Sequence, residues 1–518
     1  MADHTESTVR DVSKVAQRRH PEYDERKIHW EFLEACYEGG RSWFDTNIFK
    51  YIKEGEQEFK ERVKRAFRFN HTREVVDLVN KYVFRTKVSR NEEDAPNSIK
   101  KFWKSATSEG YDIDYLMAQI CKRTSISGRI YIVVDNTATE GTVTKEDEDE
   151  EDIKTYAYWV GPQDALDMSF DSLGNLNWIL LREKYRNDAD PFGESQNQSE
   201  QFRLWTKTGW QLFRYVKQEE NTAVSSDKDN KKKVEIYQTG MHNLGKVPVI
   251  IVDHMDSDNP YSSPALINDI AYQDRAVANY LSNLDAIIQD QTFSQLVLPA
   301  QGLMPGEEEK AKEKLTEMGT SRIFLFNGEG GMAPAYISPD PQQAELIITA
   351  IRTIINEIYH TVGMAGERTK EDNSMGIDNS SGVAKAYDFE RVNALLINKS
   401  KALSKAENEI LTLVALWNTE EHNPDHVVWA DNFDVRGLAD EFDIASSLSL
   451  ISAPDTVRKE QMKMLVDKLF PTISDELKKK MFGEIDSDDW PPAPEQFAFG
   501  GETADNGNNG SADDDDDD

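Results

Sequence analysis

Residues with reactive side chains are scattered through this sequence, and the familiar catalytic spacings do not occur. The chain has no G-x-x-x-x-G-K-[ST] phosphate loop, no H-E-x-x-H, no G-x-S-x-G and no C-x-x-C. The glycine-rich stretch 328–331 lies between two short predicted strands, whereas phosphate loops lie where a chain enters a helix. His242 and His254 have no reactive partner at a useful spacing. We therefore predict that the chain is not an enzyme and holds neither a cofactor nor a metal.

Two clusters of charged residues could bind a ligand or a partner. The run EDEDEED at 146–152 is strongly acidic, but it lacks the glycine-centred ligand spacing of a calcium loop, which favours a solvated loop. The strongest positive cluster combines Lys60, Arg62, Lys64, Arg65, Arg68 and Arg73. Two interpretations of this basic cluster stay open, namely a solvated helix face and a contact to nucleic acid or to an acidic partner.

A polar loop at 363–381 precedes the longest helical pattern in the chain. Over 383–418 apolar residues recur three and four positions apart, with Lys399 at the one missed position and no proline or glycine. A helix of about 36 residues, at about 1.5 Å each, is about 54 Å long. The loop carries four acidic residues against two basic ones, Arg368 and Lys370. It could contact a polyanion without clamping it.

Length and composition indicate a chain of two to four domains without a membrane span. The 518 residues are 38% hydrophobic and 30% charged, and the mean hydropathy is -0.66. No stretch reaches the run of about 18 apolar residues that a spanning helix needs. The N-terminus lacks the apolar segment of a secretory signal. Cys36 and Cys121 lie far apart and suit a reducing compartment.

The charge of the chain excludes general nucleic-acid binding. The net charge is -34, whereas affinity for phosphate comes from lysine and arginine. From Asp486 onward the chain holds twelve acidic residues and no lysine or arginine, and it ends on six aspartates. A segment of this composition buries too little apolar surface to offset its ordering entropy, so we predict that it is disordered.

The order of the predicted elements indicates an α+β fold. A helical region, with one helix over 99–122, leads into a β-rich domain at about 124–255 that begins with a strand at 128–135. A helix follows with Pro264 in its first turn. The remaining expected elements are strands at 296–298, 323–326 and 427–434, and helices at 307–318, 341–362, 445–451, 456–470 and 473–482. We expect the tryptophans of the β-rich domain to be core residues, namely Trp159, Trp178, Trp205 and Trp210.

Three stretches carry a resemblance to a known family. They are HNLGKVPVI at 242–250, SPALINDIAYQDRAVANYLSNLDAIIQDQ at 263–291 and SSGVAKAYDFERVNALL at 380–396. In their order along the chain they resemble the entry to the stem, the first stem helix and the start of the long wing helix of the portal proteins of tailed bacteriophages. The resemblance covers about residues 25–485, and the acidic loop and the six-aspartate end depart from it.

The resemblance implies an α+β portal-type protomer with an α/β wing, a two-helix stem, a small α/β clip, a long wing helix and a helical crown. The implied parts are a disordered N-terminus at 1–25, the wing at 26–262, stem helices at 263–293 and 339–363 with the clip at 294–338 between them, a tunnel loop at 364–381, the long wing helix and its following segment at 382–438, the crown at 439–485 and the acidic disordered tail at 486–518.

The resemblance also implies a function and a set of partners. Portal proteins form homo-oligomeric rings, usually dodecamers, at one capsid vertex of the virion after assembly in the host cytoplasm. Double-stranded DNA enters through the ring and later leaves through it. The implied protein partners are the terminase large subunit, then the head-to-tail adaptor, and the major capsid and scaffolding proteins, with no membrane.

The resemblance assigns two sets of site residues. The tunnel-loop residues Arg368, Lys370, Asn373, Ser374, Asn379 and Ser380 would line the DNA channel. The clip residues Leu303, Glu307, Lys310, Lys314, Arg322 and Tyr336 would dock the terminase and the adaptor. Two alternatives stay open, namely another virion component such as an adaptor or baseplate protein, and a nucleic-acid-processing enzyme.

Overall fold

The computed structural model combines helices and strands, and the chain divides into two compact units, Met1–Phe433 and Asp434–Asp518. The structure describes residues 12–137, 154–186, 198–215, 234–292, 295–299, 323–326, 335–337, 341–364, 382–431, 433, 454–469 and 475–487. The acidic run at 146–152, the helices expected at 307–318 and 445–451, and the tail beyond Ser487 lie outside the described residues.

Helices form the first part of the first unit. They are α1 Tyr23–Glu38, α2 Arg41–Asn47, α3 Glu56–Arg65, α4 His71–Val83, α5 Asn97–Lys104 and α6 Ile113–Ser127, with a 3-10 turn at Val12–Gln17 ahead of them. The disorder expected for residues 1–25 is wrong for residues 12–25. Ala16 and Tyr23 are buried in a cluster with Leu166 and Phe202, so this segment packs on the sheet that those residues form.

The single helix expected over 99–122 is in fact two helices, α5 and α6. Between them the backbone N–H of Gly110 donates to the carbonyl of Thr107 at 3.1 Å, and Gly110 has a φ of 91°, which favours glycine. The side chain of Asp112 then accepts the backbone N–H of Tyr115 at 2.9 Å and caps α6. The glycine and the capping aspartate are the sequence signals for this break.

Two antiparallel sheets follow, where the sequence predicted one β-rich domain. The strands are β2 Arg129–Asn136, β3 Thr155–Val160, β4 Ala165–Phe170, β5 Leu176–Tyr185, β6 Ser199–Thr206, β7 Gly209–Tyr215, β8 Val234–Met241 and β9 Val249–Asp253. One sheet has the order β3-β2-β9 and the other the order β4-β5-β6-β7-β8. The sequence did not predict β4.

Strand β2 is buried on both faces and lies between the layers. Ile130 and Ile132 belong to the largest apolar cluster, which also contains residues of α4, α5 and α6. Tyr131 and Val133 point to the other face and pack with Trp205 of the five-stranded sheet. A strand that is covered on both sides needs an uninterrupted apolar run, which is why the sequence predicted it correctly.

A helical hairpin follows the two sheets. It consists of α7 Ile270–Thr292 and α8 Pro341–Thr361, and between them in the chain lies a small sheet of β10 Gln295–Pro299, β11 Ile323–Phe326 and β12 Ala335–Ile337. Strand β10 is central, parallel to β11 and antiparallel to β12. The sequence predicted β10, β11 and both helices, but it did not predict β12.

Helix α7 begins at Ile270, so the placement of Pro264 in its first turn is wrong. The segment before the helix seals the junction between α6 and β2 instead. The backbone N–H of Leu266 donates to the carbonyl of Ser125 at 3.1 Å. Gly128 has a φ of 80°, and a Cβ there would lie 2.0 Å from the carbonyl oxygen of Ser263. Only glycine allows the chain to approach this closely.

The long helix is confirmed as α9, Gly382–Trp417. Its last residue donates from the indole Nε1 of Trp417 to the carbonyl of Val134 at 3.0 Å, which fixes its end against β2. The strand expected at 427–434 is limited to β13, Val427–Val428, which pairs with β1, Ser89–Arg90. The sequence did not predict β1.

The four tryptophans of the sheets pack as core residues, to different degrees. Trp205 is fully buried, and the other three are half-buried beside apolar clusters. A guanidinium lies over each half-buried ring: Arg123 over Trp159 at 4.4 Å, Arg18 over Trp178 at 4.8 Å and Arg203 over Trp210 at 5.0 Å. These rings serve internal packing.

The described part of the second unit is a pair of helices, α10 Asp455–Leu469 and α11 Asp475–Asp486. They correspond to the helices predicted at 456–470 and 473–482. The ammonium of Lys463 lies 2.8 Å from a carboxylate oxygen of Asp486, and Lys459 donates to the carbonyl of Ser487 at 3.0 Å. Lys459 and Lys463 of α10 therefore hold the end of α11.

Candidate functional site: the helical hairpin and the anchors of the long helix

The tunnel-loop and clip residues that the resemblance assigns lie, with one exception, outside the described part of the chain. All six tunnel-loop residues lie outside it, and so do the clip residues Leu303, Glu307, Lys310, Lys314 and Arg322. Tyr336 lies in β12 and pairs with Leu296 of β10. The described elements that flank the clip and the tunnel loop in the chain are the hairpin and α9.

The two helices of the hairpin run antiparallel in a constant register. At one end, Gln295 pairs with Ile337 in the small sheet. At the other end, Asp274 of α7 and Tyr359 of α8 both reach the first turn of α4. The small sheet therefore lies at one end of the hairpin and α4 at the other.

Polar contacts fix the base of the hairpin to α4. The hydroxyl and the backbone N–H of Thr72 donate to Oδ2 of Asp274 at 2.8 and 3.2 Å, and Asp274 is completely buried. Nη1 of Arg68 lies 3.8 Å from the same oxygen. Nδ1 of His71 lies 3.1 Å from the hydroxyl of Tyr359. Both helices of the hairpin are thus bonded to the same turn.

Arg62 of the basic cluster is a buried link between α3 and the hairpin. Its Nε and Nη2 atoms both donate to the carboxylate of Glu54 at 2.8 Å. Its Nη1 donates to the hydroxyl of Ser282 on α7 at 3.0 Å, and its Nη2 also donates to the carbonyl of Phe49. The Arg62 side chain pulls the pKa of Glu54 below its usual range. A bidentate, buried pair of this kind is structural.

Other arginines of the cluster are also used inside the chain. Nε of Arg65 lies 3.1 Å from the carboxylate of Asp285 on α7. Arg68 stacks over the ring of Trp43 at 4.0 Å, and Nε of Arg73 donates to the carbonyl of Tyr37 at 2.9 Å.

A solvated helix face is wrong for Arg62 and Arg68, whose side chains are buried. Arg65 and Arg73 bond within the chain but stay exposed, so a contact to nucleic acid or to an acidic partner remains a prediction for them. Arg62, Arg65 and Arg68 contact the hairpin, and Arg73 contacts α1. Lys60, Lys64, Arg65 and Arg73 are the exposed members of the cluster.

The interruption in the α9 stripe, Lys399, is a buried cation. Its side chain is 2% exposed, and its Nζ donates to the hydroxyl of Thr124 at 2.6 Å and lies 2.9 Å from Nδ1 of His254. Burial lowers the pKa of Lys399 to about 8 and holds the pKa of His254 well below its usual value. Neutral His254 accepts through Nδ1, and its partner Lys399 lies 145 residues away, beyond the local spacings that the sequence analysis considered.

A second buried charge on α9, Glu407, has a full set of partners. The Arg90 guanidinium donates to it from Nε at 2.7 Å, and the indole of Trp429 donates to its other oxygen at 2.7 Å. Arg90 in turn donates to Asp114 of α6 at 2.7 Å. Burial raises the pKa of Glu407, while Arg90 and Trp429 oppose that rise. This network joins α9, β1 and α6.

The positions of Lys399 and Glu407 are unusual in the sequence, but the sequence does not show which residues they contact. Lys399 and Glu407 lie eight residues apart on α9, and each is a charged residue surrounded by apolar positions of a regular pattern. Their partners lie up to 317 residues away in the chain. His242 is likewise buried, between the rings of Trp205 and Trp417 at 6.2 and 5.7 Å.

The described residues contain neither a metal site nor a membrane-spanning helix. No group of three or more His, Cys, Asp and Glu side chains is placed to hold a metal ion within them. None of their helices combines the length and the apolar character that crossing a bilayer requires. What the arrangement provides is a hairpin and a long helix that are held at fixed positions by buried polar contacts.

Comparisons with known proteins give no family assignment. The chain matches no protein-family model and no curated protein. It is similar to a chain in the neck of an empty GTA particle computed with C6 symmetry, with 12% identity, a TM-score of 0.38 and coverage of 81% of this chain and 90% of that one. It is also similar to a chain in the virion of a native gene transfer agent (GTA) particle, with 11% identity, a TM-score of 0.38 and coverage of 90% and 94%. At these scores neither likeness carries an argument about function.

Proposed function

We propose that this chain is the structural, non-catalytic subunit of a viral portal ring, a homo-oligomer that forms the channel for DNA at one capsid vertex. The observation that carries the proposal is the hairpin of α7 and α8, with a small three-stranded sheet at its far end and the 36-residue helix α9 after it. This is the order of stem, clip, stem and wing helix in the family that the sequence resembles.

The proposal assigns a part to each segment. The hairpin is the stem and β10–β12 belong to the clip, which docks the terminase large subunit and later the head-to-tail adaptor. The wing is formed by 26–262 and 382–438, the tunnel loop is 364–381 and the crown is 439–485. The ring has twelve copies, assembles in the host cytoplasm with the major capsid and scaffolding proteins, and stays in the virion.

Charge supports a channel through which DNA slides. Each lysine or arginine that neutralises a phosphate adds affinity through counterion release, and that affinity would resist translocation. The net charge of -34 opposes such binding. Within the tunnel loop, Arg368 and Lys370 provide transient, sequence-independent phosphate contacts, together with the polar side chains of Asn373, Ser374, Asn379 and Ser380.

The hairpin favours this proposal over the adaptor or baseplate alternative. The portal family predicts two helices with a small sheet at their far end, and that alternative does not predict them. A nucleic-acid-processing enzyme would need a catalytic grouping. The sequence has none of the familiar catalytic motifs, and the described residues contain no group of side chains placed to hold a metal ion. The hairpin and α9 are features that a structural subunit of a portal ring is expected to have.

The experiment that tests the channel assignment is a double substitution in the loop, Arg368→Glu with Lys370→Glu. We expect normal folding and ring assembly, because exposed charges contribute little to stability. We expect lower yield or poorer retention of DNA in assembled heads. The matched control is Lys60→Glu with Lys64→Glu, which reverses two exposed charges on α3. Wild-type packaging and retention in the loop variant would overturn the assignment.

A further inference from the structure

Strand β8 ends the five-stranded sheet with an edge that no strand of the described residues covers. On its other side β8 pairs with β7 along its whole length, from Val234 to Met241. Residues 235–239 are all exposed, and Ile236, Tyr237 and Met241 are 48%, 61% and 82% exposed. We call the unpaired side of this strand the β8 edge.

The β8 edge lacks residues that commonly keep an open sheet edge from pairing with other strands. Such edges often carry lysine or proline, and the sequence of β8, VEIYQTGM, contains neither. The register with β7 skips Tyr237, so the strand carries a bulge, which gives some protection. About every second backbone N–H of an edge strand points away from its neighbour. The edge therefore offers a row of donors and acceptors to an added strand.

The segment ahead of α1 crosses the sheet from the β8 side to the strand at the opposite edge, β4. The turn at Val12–Gln17 lies against β8, and Val12 packs against the apolar cluster that contains Val234. A few residues later the chain reaches β4, where the backbone N–H of His20 donates to the carbonyl of Leu166 at 2.8 Å. Because the chain passes from β8 to β4 in the direction of the sequence, the residues before Val12 approach from the β8 side.

We propose that residues 1–11 add to the β8 edge of the same copy as an antiparallel strand. Val234 is the first residue of β8 and its buried one, so Val12 lies near the beginning of that strand. A segment that follows the edge and arrives there runs against the direction of β8.

The length and composition of the segment suit this role. Eleven extended residues at about 3.3 Å each span about 36 Å, whereas the eight residues of β8 span about 27 Å. Residues 1–11 contain no glycine or proline, and Thr5, Thr8 and Val9 are types that favour strands.

An added strand would satisfy the backbone groups of the β8 edge. It would also remove a surface on which the sheets of different copies could associate. The inference does not depend on the proposed ring, because the segment and the edge belong to one copy.

Hydrogen–deuterium exchange followed by mass spectrometry tests this pairing on the full chain. We expect the backbone amides of 234–241 to be protected, and to exchange at least about tenfold faster in a variant that lacks residues 2–11. Peptides of β7, which lies inside the sheet, should not change. The matched control replaces residues 219–230 by a glycine-serine linker of equal length, and it should keep the protection of β8.

Two double proline variants test the pairing without shortening the chain. Alternate residues of a strand direct their N–H groups to opposite edges, so positions 4 and 8 share one edge and positions 5 and 9 share the other. Proline breaks a ladder on the paired edge and is tolerated on the outer one. The variants are His4→Pro with Thr8→Pro and Thr5→Pro with Val9→Pro. We expect one of them to lose the protection of β8 and the other to keep it.

The contradicting outcomes are distinct. Unprotected amides of β8 in the full chain, unchanged exchange in the shortened chain, or equal behaviour of the two proline variants would contradict the added strand. Any of them would agree with the disorder that the resemblance implies for residues 1–25. Loss of protection in the glycine-serine control would mean that 219–230 covers the edge. Protection that disappears when the protein is diluted to monomers would mean that another copy covers it, and both results contradict the proposal.

Discussion

Helix α9 carries two buried charges that differ in how they are compensated. Glu407 is completely buried and accepts from Arg90 and from Trp429. Lys399 is equally buried, but among the described residues its partners are the neutral side chains of Thr124 and His254. The same helix therefore carries one buried ion pair and one buried cation without a counter-charge among the described residues.

Because of this difference, Glu407 and Lys399 contribute to the stability of the fold in different ways. A buried ion pair loses most when one partner is removed, because the other charge then stays desolvated and alone. A buried cation without a counter-charge already bears that desolvation cost in the native state. It stabilises the fold only after it releases its proton, so its contribution depends on pH.

The largest effect should come from breaking the ion pair by Arg90→Ala. Glu407 would keep only the Trp429 hydrogen bond, and we expect a loss of about 3–5 kcal/mol in the free energy of unfolding. Urea unfolding followed by tryptophan fluorescence at fixed protein concentration measures this loss. It should be smaller at pH 5 than at pH 8, because the isolated carboxylate of Glu407 can then take up a proton.

A loss below about 1 kcal/mol at pH 8 would mean that the pair behaves like an exposed one. That outcome would contradict the burial of Glu407 and the contrast between its ion pair and the unpaired cation Lys399.

The next effect concerns the pH dependence due to Lys399. Its pKa falls from 10.5 to about 8 on folding, so between these values the unfolded chain binds more protons and stability rises with pH. Multiplying the shift by about 1.36 kcal/mol per unit gives a rise of about 3 kcal/mol from this group alone. Lys399→Met removes that rise while keeping a similar volume.

The informative measurement is the difference in unfolding free energy between the wild type and Lys399→Met across pH 7.5–10.5. Groups that titrate in both chains without interacting with Lys399 cancel in this difference. A difference that does not change with pH would show that Lys399 is hydrated in the native protein.

The smallest effect is expected for an exposed pair. Nζ of Lys64 lies 3.1 Å from Glu61, and the two side chains are 70% and 45% exposed. We expect Lys64→Ala to change the unfolding free energy by no more than about 0.5 kcal/mol, and any change should fade in 0.5 M salt. A larger, salt-independent change would contradict the expectation that exposed ion pairs contribute less to stability than buried ones.

Strong local patterns made much of the fold predictable. The apolar run of β2 and the stripe of α9 each agree with the burial that the structure gives them, so their periodicity was sufficient. The errors fell on boundaries and short elements. Residues 263–269 read as helix, but the regular helix begins at Ile270, and the backbone N–H of Leu266 donates to the carbonyl of Ser125 in α6.

The anchors could not be predicted, because they depend on contacts between distant parts of the chain. The pairing of Arg90 with Glu407 spans 317 residues, and no local spacing encodes it. The sequence shows the basic cluster, but the contacts of its arginines depend on which helix packs against α3. Arg62 and Arg65 meet acceptors on α7 that the sequence places about 220 residues away.

The measurement that tests the central claim most directly is electron microscopy of the purified full-length chain in negative stain, combined with mass determination in solution. The account predicts top views of a ring with a central hole and a mass near twelve subunits of 59.1 kDa. A chain that remains a monomer or a dimer at high protein concentration would contradict the portal proposal.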